Sequence, residues 1–412
     1  MESYKFLLDL AVILLCTKVL GLATKRVQMP QVVGSLLAGL LLGPSMLGLL
    51  TETEFLSNVA ELGVIVLMFC AGLETDIKEL KKSGKAAFVI ALCGVIMPII
   101  GGFAVAYFFN KPGVIDSDAS CSVVLQNAFI GVILTATSVS ITVETLKEMG
   151  KLKTHSGNAI LGAAIIDDIL GIVALTIITS LADESVNVAV VLLKVVLFFV
   201  FAGVVGFVFY KFYKKWIESA DRGRHRHAII AFVFCLLMSY VAEAWFGVAD
   251  ITGAYIAGLI ISNTERSEFI QSRFDTLSFL LLSPVFFASI GLKVELPNMT
   301  GTIIAFTVVL VIGCGLGAKI CGYKPYQCKR IGVGMISRGE VALIVASKGA
   351  ALGMMGSAFM GPVVIVVVIT TIITPILLKI VFKKGPNNYI PDSESISTYH
   401  TKISDLRKNL FG

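Results

Sequence analysis

The chain of 412 residues is 56% hydrophobic and only 15% charged, and 34 Lys and Arg against 28 Asp and Glu leave a net charge of +6. Apolar stretches of about 20 residues, the length at which a helix crosses hydrocarbon, recur from one end to the other. That pattern excludes a water-soluble domain, and no Gly-rich phosphate loop, metal-ligand spacing or nucleophile and base set points to an enzyme or a resident cofactor.

Taken in chain order, hydropathy places thirteen candidate spans at 5–24, 30–49, 55–74, 86–109, 121–148, 154–181, 187–215, 225–246, 249–262, 266–291, 299–321, 329–351 and 356–383. The chain therefore reads as an all-α polytopic membrane protein. The first span is expected to stay in place, because "MESYKFLLDL" lacks a strong basic region and no small-residue cleavage site precedes "TKRVQMP". Basic loops such as "KELKKSGK", "KEMGKLK" and "GYKPYQCKR" alternate with acidic or neutral ones such as "TETEF", "LADESVN" and "KVELPNMT". The positive-inside rule then puts the N-terminus outside and the C-terminus in the cytoplasm, which suits a bacterial cell membrane. Orientation accounts for the excess positive charge, so no nucleic acid partner is needed, and "RGRHRH" reads as a cytoplasmic anchor beside the lipid bilayer. Eight cysteines are scattered with no metal spacing and read as structural filler. The 384–412 tail is expected to be too short for an appended soluble domain.

An internal repeat refines this architecture. "VVGSLLAGLLLGPS" resembles "ITGAYIAGLIISN", and "FCAGLETD" resembles "FASIGLKVEL". These matches pair Gly34 with Gly253, Gly39 with Gly258 and Gly72 with Gly291, all at one spacing of 219 residues. Because the matching spans start on opposite sides, two five-helix repeats inverted relative to each other are expected, with a substrate site where they meet. Glycine-rich helix packing is the plainer source of the same similarity.

The fifth and twelfth spans are interrupted by polar runs at corresponding places, "LTATSVSIT" and "GMISRGEVAL". Two discontinuous helices crossing at mid-membrane are expected there, since opened backbone is tolerated at that depth only where it lines a cavity. The sixth span carries Asp167 and Asp168 side by side in "AAIIDDILGIVAL". One ionised carboxylate at that depth costs roughly 3 kcal/mol even on insertion scales, so intramembrane acids are functional by default. Low-dielectric surroundings and a neighbouring like charge both favour the neutral acid, so protons and a hard monovalent cation compete for the same oxygens. A structural pair neutralised by a buried Lys or Arg is the other reading.

"TATSVSITVETLKEMGKL", "AAIIDDILGIVAL", the "GLE" end of the third span, "GCGLGAK" and "RGEVALIVA" together resemble the monovalent cation/proton antiporters of the Nap and Kef type, over essentially 30–383. The resemblance implies a homodimer in which 1–74 and 225–291 form the dimer scaffold, 86–181 and 299–383 the moving ion-binding core, 187–215 a linker, and 384–412 a short cytoplasmic tail. It makes Asp168 the principal Na⁺ and H⁺ carboxylate and Asp167 its partner. Thr135, Ala136, Thr137 and Ser138 become the unwound stretch of one crossing helix, and Ser337, Arg338, Gly339 and Glu340 occupy the other. Kef-type proteins usually carry Gln before the essential Asp and a nucleotide-sensing domain after the membrane part; with Asp167 there and no such domain, this chain is more similar to Na⁺/H⁺ exchangers of the Nap branch. Relatives often hold a Lys three residues before the glycine of "GCG", where this chain has Leu310. Lys319 lies further along and is expected to snorkel to the interface.

Arg338 can be neutralised by Glu340 or by an acid such as Glu144. Glu61 and Glu74, near opposite ends of the third span, are expected to be interfacial, and His155, beside Lys151 and Lys153, is either a solvated loop histidine or a pH sensor. The sequence thus points to exchange of Na⁺, or of K⁺ or Li⁺, for H⁺ by alternating access. The alternatives are a K⁺/H⁺ antiporter, a gated cation channel and a Na⁺-coupled organic acid symporter.

Overall fold

The computed structural model describes residues 4–26, 29–44, 46–75, 77–110, 119–182, 188–219, 224–293 and 324–383. The first half contains α1 (Lys5–Arg26), α2 (Gln31–Leu42), α3 (Glu54–Glu74), α4 (Ile77–Phe109), α5 (Val123–Ile133), α6 (Val139–Glu148), α7 (His155–Ala182) and α8 (Val188–Ser219). The second contains α9 (Arg224–Val241), α10 (Asp250–Ser262), α11 (Ser267–Leu277), α12 (Ser283–Leu292), α13 (Pro325–Gly334), α14 (Glu340–Ala351) and α15 (Ser357–Lys383). Eight helical stretches among the described residues are long and apolar enough to cross a membrane, and Gln31–Leu42, Val123–Ile133 and Asp250–Ser262 are shorter apolar helices. The protein is a multi-pass, nearly all-helical membrane protein. The predicted span 299–321, with Leu310 and Lys319, lies outside the described residues.

Local chemistry sets the helix ends. Thr53 caps α3 by accepting from the Leu56 N–H at 3.3 Å, and Ser122 caps α5 by accepting from the Leu125 N–H at 3.4 Å. The second predicted span is shorter than expected. Its helix stops at Leu42, and the chain folds back through Gly48 (φ 60°), whose N–H donates to the Gly43 carbonyl at 2.9 Å while Leu50 N–H donates to Leu42 at 2.9 Å. The tenth span is wound in three pieces, with a π-turn at Ser278–Leu282 between α11 and α12, just ahead of Pro284, which has no N–H to give. Arg330, buried in α13, donates to the carbonyls of Val381 and Phe382 at 3.4 Å each, so a cation sits on the C-terminal end of α15.

Glycine governs the closest crossings. A Cβ on Gly39 of α2 would run into the Ala288 carbonyl of α12, and one on Gly291 of α12 would meet the Leu36 carbonyl at 2.5 Å. Likewise Gly72 of α3 and Gly258 of α10 have Cα atoms so near that a Cβ on either would lie 3.0 Å from the other's Cα. Without a hydrophobic drive between helices in lipid, such backbone approach supplies much of the packing energy. Around these crossings α3, α9, α10 and α12 bury one continuous apolar core, whereas α8, the most apolar candidate span, is the least buried. Its Phe207, Phe212 and Val204 project outward, as a lipid-facing helix requires.

The glycine crossings generate a stability prediction. Gly258→Val should destabilise the purified protein by about 1–3 kcal/mol through overpacking, read as a lower thermal midpoint in detergent, while Gly84→Ala, where a Cβ meets nothing within 4 Å, should leave it unmoved.

Candidate ion-binding site

The two polar runs that interrupt the fifth and twelfth predicted spans meet. After α5 the chain leaves the helix at 134–138, and after α13 it does so at 335–339; Thr137 and Arg338 form an isolated antiparallel bridge between the two stretches. Ser138 N–H donates to the Ser337 carbonyl at 2.7 Å, and the Ser337 hydroxyl donates back to the Ser138 carbonyl at 2.9 Å. The Thr142 hydroxyl reaches the Gly334 carbonyl at 2.8 Å. Backbone groups that lost their helical partners are thereby satisfied across the crossing. Gly339 permits it, since a Cβ there would come within 2.6 Å of the Ser138 hydroxyl.

Arg338 is fully buried at this junction. Its Nη1 donates to the Thr135 carbonyl at 2.8 Å and to the Thr137 hydroxyl. Its backbone is fixed from the other side by α15, whose Thr370 hydroxyl accepts from the Arg338 N–H at 3.1 Å and whose Thr371 hydroxyl donates to the Arg338 carbonyl at 2.6 Å. Sequence reasoning missed Thr142, Thr370 and Thr371. The signal available for the last two was the polar run "TTIIT" within an apolar span.

Asp167 projects from α7 into this junction. It is 1% exposed, neither of its carboxylate oxygens has a hydrogen-bond partner among the described residues, and the positive charge of Arg338 acts on it. Asp168 is only partly buried, about 100° further around the helix. The structure therefore brings Thr135, Thr137, Ser138, Ser337, Arg338, Gly339 and Asp167 together. Ala136, half-buried, packs into the apolar cluster of α5, α14 and α15. Glu340 opens α14, but its side chain lies outside the described residues.

Glu144 takes a different position, in the wall of a cavity of about 390 Å³ that also reaches Thr17, Gln31, Lys147, Glu148 and Asp275. Lys147 of α6 pairs with Asp275 of α11 and stands 3.5 Å from Glu74 of α3, which accepts from Gln271 at 2.8 Å. Glu74 is thus held in an ion network at the end of α3. Glu148 accepts from the Gln31 N–H at 2.6 and 2.7 Å, a carboxylate seated on the N-terminus of α2. Glu61 and His155 are both exposed. The described cysteines, including Cys70, Cys235 and Cys328, are free thiols.

Two interrupted membrane helices crossing beside a buried aspartate define a secondary transporter. Residues 11–384 match the family model described as sodium/hydrogen exchanger, transmembrane. The chain is 37% identical over 388 residues to the Na⁺/H⁺-K⁺ antiporter GerN of Bacillus cereus, covering 92% of this chain and 97% of that protein. It is 34% identical to a Na⁺/H⁺ antiporter of Enterococcus hirae, covering 92% and 99%. The solved structure of the sodium proton antiporter MjNhaP1 from Methanocaldococcus jannaschii at pH 8 shares the fold, with a TM-score of 0.69 at 20% identity over 93% of this chain and 99% of that one. The protein belongs to the sodium/hydrogen exchanger family.

Arg338 and Asp167 should prove interdependent. Removing one partner of a buried pair leaves an uncompensated charge that costs about 3–5 kcal/mol, so Arg338→Met should lower the unfolding midpoint sharply. Adding Asp167→Asn should restore most of it; a double variant no more stable than Arg338→Met would show that the two charges do not sense each other.

Proposed function

We propose that the protein is a secondary active antiporter that exchanges Na⁺, with K⁺ and Li⁺ as further cargo, for H⁺ across the membrane by alternating access. The observation that carries this reading is Asp167, buried at the crossing with both carboxylate oxygens unpartnered among the described residues, next to the half-buried Asp168. A carboxylate buried at that depth beside Thr137 and Arg338 has oxygens able to take a small cation or a proton. Asp168, the more open of the two, is the primary ligand, and Asp167 completes the site. Thr135, Thr137, Ser138 and Ser337 hold the opened backbone of the crossing together beside the ion, while Arg338 and Gly339 keep the crossing close-packed. K⁺ is included because GerN, by its name, handles it.

Helices α1–α3 and α9–α12 serve as the scaffold of a homodimer, α4–α7 with 299–383 as the moving core, and α8 as the linker. Thirteen spans with an outside N-terminus and a cytoplasmic C-terminus complete the arrangement. The inverted repeat is supported by the glycine crossings: Gly39 against Gly291 becomes Gly258 against Gly72 when each residue is exchanged for its repeat mate. The Lys147, Asp275 and Glu74 network spans the same division at its cytoplasmic end.

The charge count sets the stoichiometry. Arg338 is cationic at every working pH and balances one carboxylate, which leaves a single negative charge for the cargo. One Na⁺ or one H⁺ neutralises it, so the loaded core carries the same net charge in both directions. Exchange in proteoliposomes should therefore be indifferent to an imposed K⁺ diffusion potential; a rate that follows the potential would mean a second proton, since one net charge is worth about 2.3 kcal/mol per 100 mV.

Competition for one seat fixes the pH dependence. Below the site's own titration range the apparent KM for Na⁺ should rise about tenfold for each unit fall in pH, measured by pH-dye dequenching in vesicles on adding Na⁺. Asp168→Asn should abolish the signal, and a variant that kept full exchange would remove Asp168 from its role.

A further inference from the structure

A second cavity lies away from the ion-binding crossing. A groove of about 410 Å³ opens between α4, α7, α8 and α10, with Gly84, Ile166, Phe199, Gly203, Phe207 and Ile256 in its walls. Its lining is apolar apart from Tyr255, whose hydroxyl is turned to the Thr75 hydroxyl at 3.1 Å. The depth comes from missing side chains, because a Cβ on Gly84 or on Gly203 would meet nothing within 4 Å. From Phe199 to Phe207 the groove follows α8 for about 12 Å, most of the roughly 15 Å hydrocarbon depth of one leaflet.

Its two ends differ chemically. At the end where α4 begins and α8 finishes, Lys85 follows Gly84 directly, and Lys211 stands one turn beyond Phe207 on a neighbouring line of α8; both are exposed. The basic loops mark this as the cytoplasmic side. The other end runs to the middle of the membrane. An occupant must therefore be apolar over a leaflet's depth and negative at its cytoplasmic end, and it must reach the groove from within the bilayer.

We propose that this groove is a binding site for an anionic phospholipid of the inner leaflet, one acyl chain lying along Gly203 and Phe207 and its phosphate held by Lys85 and Lys211. A zwitterionic lipid satisfies the apolar wall but gains nothing net from the two ammonium groups, and a water-soluble ligand finds no polar group in the lining. If α4 and α7 belong to the moving core and α8 and α10 to the linker and scaffold, as in the proposed function, the chain is wedged between the parts that slide.

Lipid retention tests the site independently of transport. The delipidated full chain in detergent would be given phosphatidylglycerol or phosphatidylcholine of matched acyl length, followed by native mass spectrometry and thermal unfolding. The expected result is one phosphatidylglycerol kept per chain in preference to phosphatidylcholine, with the midpoint raised by about 3 °C. Gly203→Leu, which fills open space, should lose both effects, as should Gly84→Leu; Lys85→Gln with Lys211→Gln should reduce phosphatidylglycerol to the phosphatidylcholine level. Equal retention of the two lipids by the wild type, or undiminished phosphatidylglycerol retention in both leucine variants, would overturn the proposal. Loss of exchange in Asp168→Asn with lipid retention intact, or the reverse, separates this inference from the antiport reading.

Discussion

Everything near the crossing depends on keeping one guanidinium and one carboxylate buried at membrane depth. A charge there is tolerable only when another charge and a full set of polar partners share the site. Arg338 has the Thr135 carbonyl and the Thr137 hydroxyl in front of it, and Thr370 and Thr371 hold its backbone from behind. These contacts draw on three separate parts of the chain, so the position of the cation is over-determined. The Asp167 oxygens, by contrast, have no hydrogen-bond partner among the described residues. The Arg338 backbone and Nη1 are thus fixed by the crossing, while the Asp167 carboxylate keeps coordination capacity.

The same contrast separates the rest of the molecule into tight and loose contacts. Gly39 against α12 and Gly72 against α10 lock backbone to backbone, leaving no room for sliding. Contacts made by α6 with α2, α3 and α11 combine apolar packing with polar groups around a cavity: Lys147 with Asp275 and Glu74, and Glu148 with the amide of Gln31. The Lys147 pairs are part-buried, so solvent reaches them only in part. Ion pairs beside water are contacts that a cycle can break and remake, whereas interlocked glycine backbones are not.

Much of this was legible in the residues. Hydropathy placed the long spans because a bilayer imposes its thickness on the sequence, and the Ser and Thr runs marked the helix breaks because polar backbone at that depth needs an explanation. The adjacent aspartates announced themselves by their cost. Position along the chain carries little information about which distant groups meet, and there the reading fell short. Thr142, Thr370 and Thr371 look like ordinary helix threonines until the crossing brings Gly334 and Arg338 against them. Glu74 reads as an interfacial acid at the end of α3, and only the packing of α6 and α11 reveals its ion network. The early stop of α2 was concealed because the residues after Leu42 remain apolar while Gly48 turns the chain.

Arg338 decides what kind of positive charge acts on Asp167. A lysine in that place would be a point charge that can lose its proton when its surroundings change. An arginine cannot be deprotonated in a protein, so Arg338 contributes a constant charge and a fixed fork of donors. Between Arg338 and the carboxylates near the crossing, only the carboxylates can change charge at a working pH. A cation on a residue pinned by the crossing itself ties the electrostatics of the site to its geometry. Any motion that opened the Thr137 and Arg338 bridge would withdraw the positive charge that acts on Asp167, so the bridge and the electrostatics of the site stand or fall together.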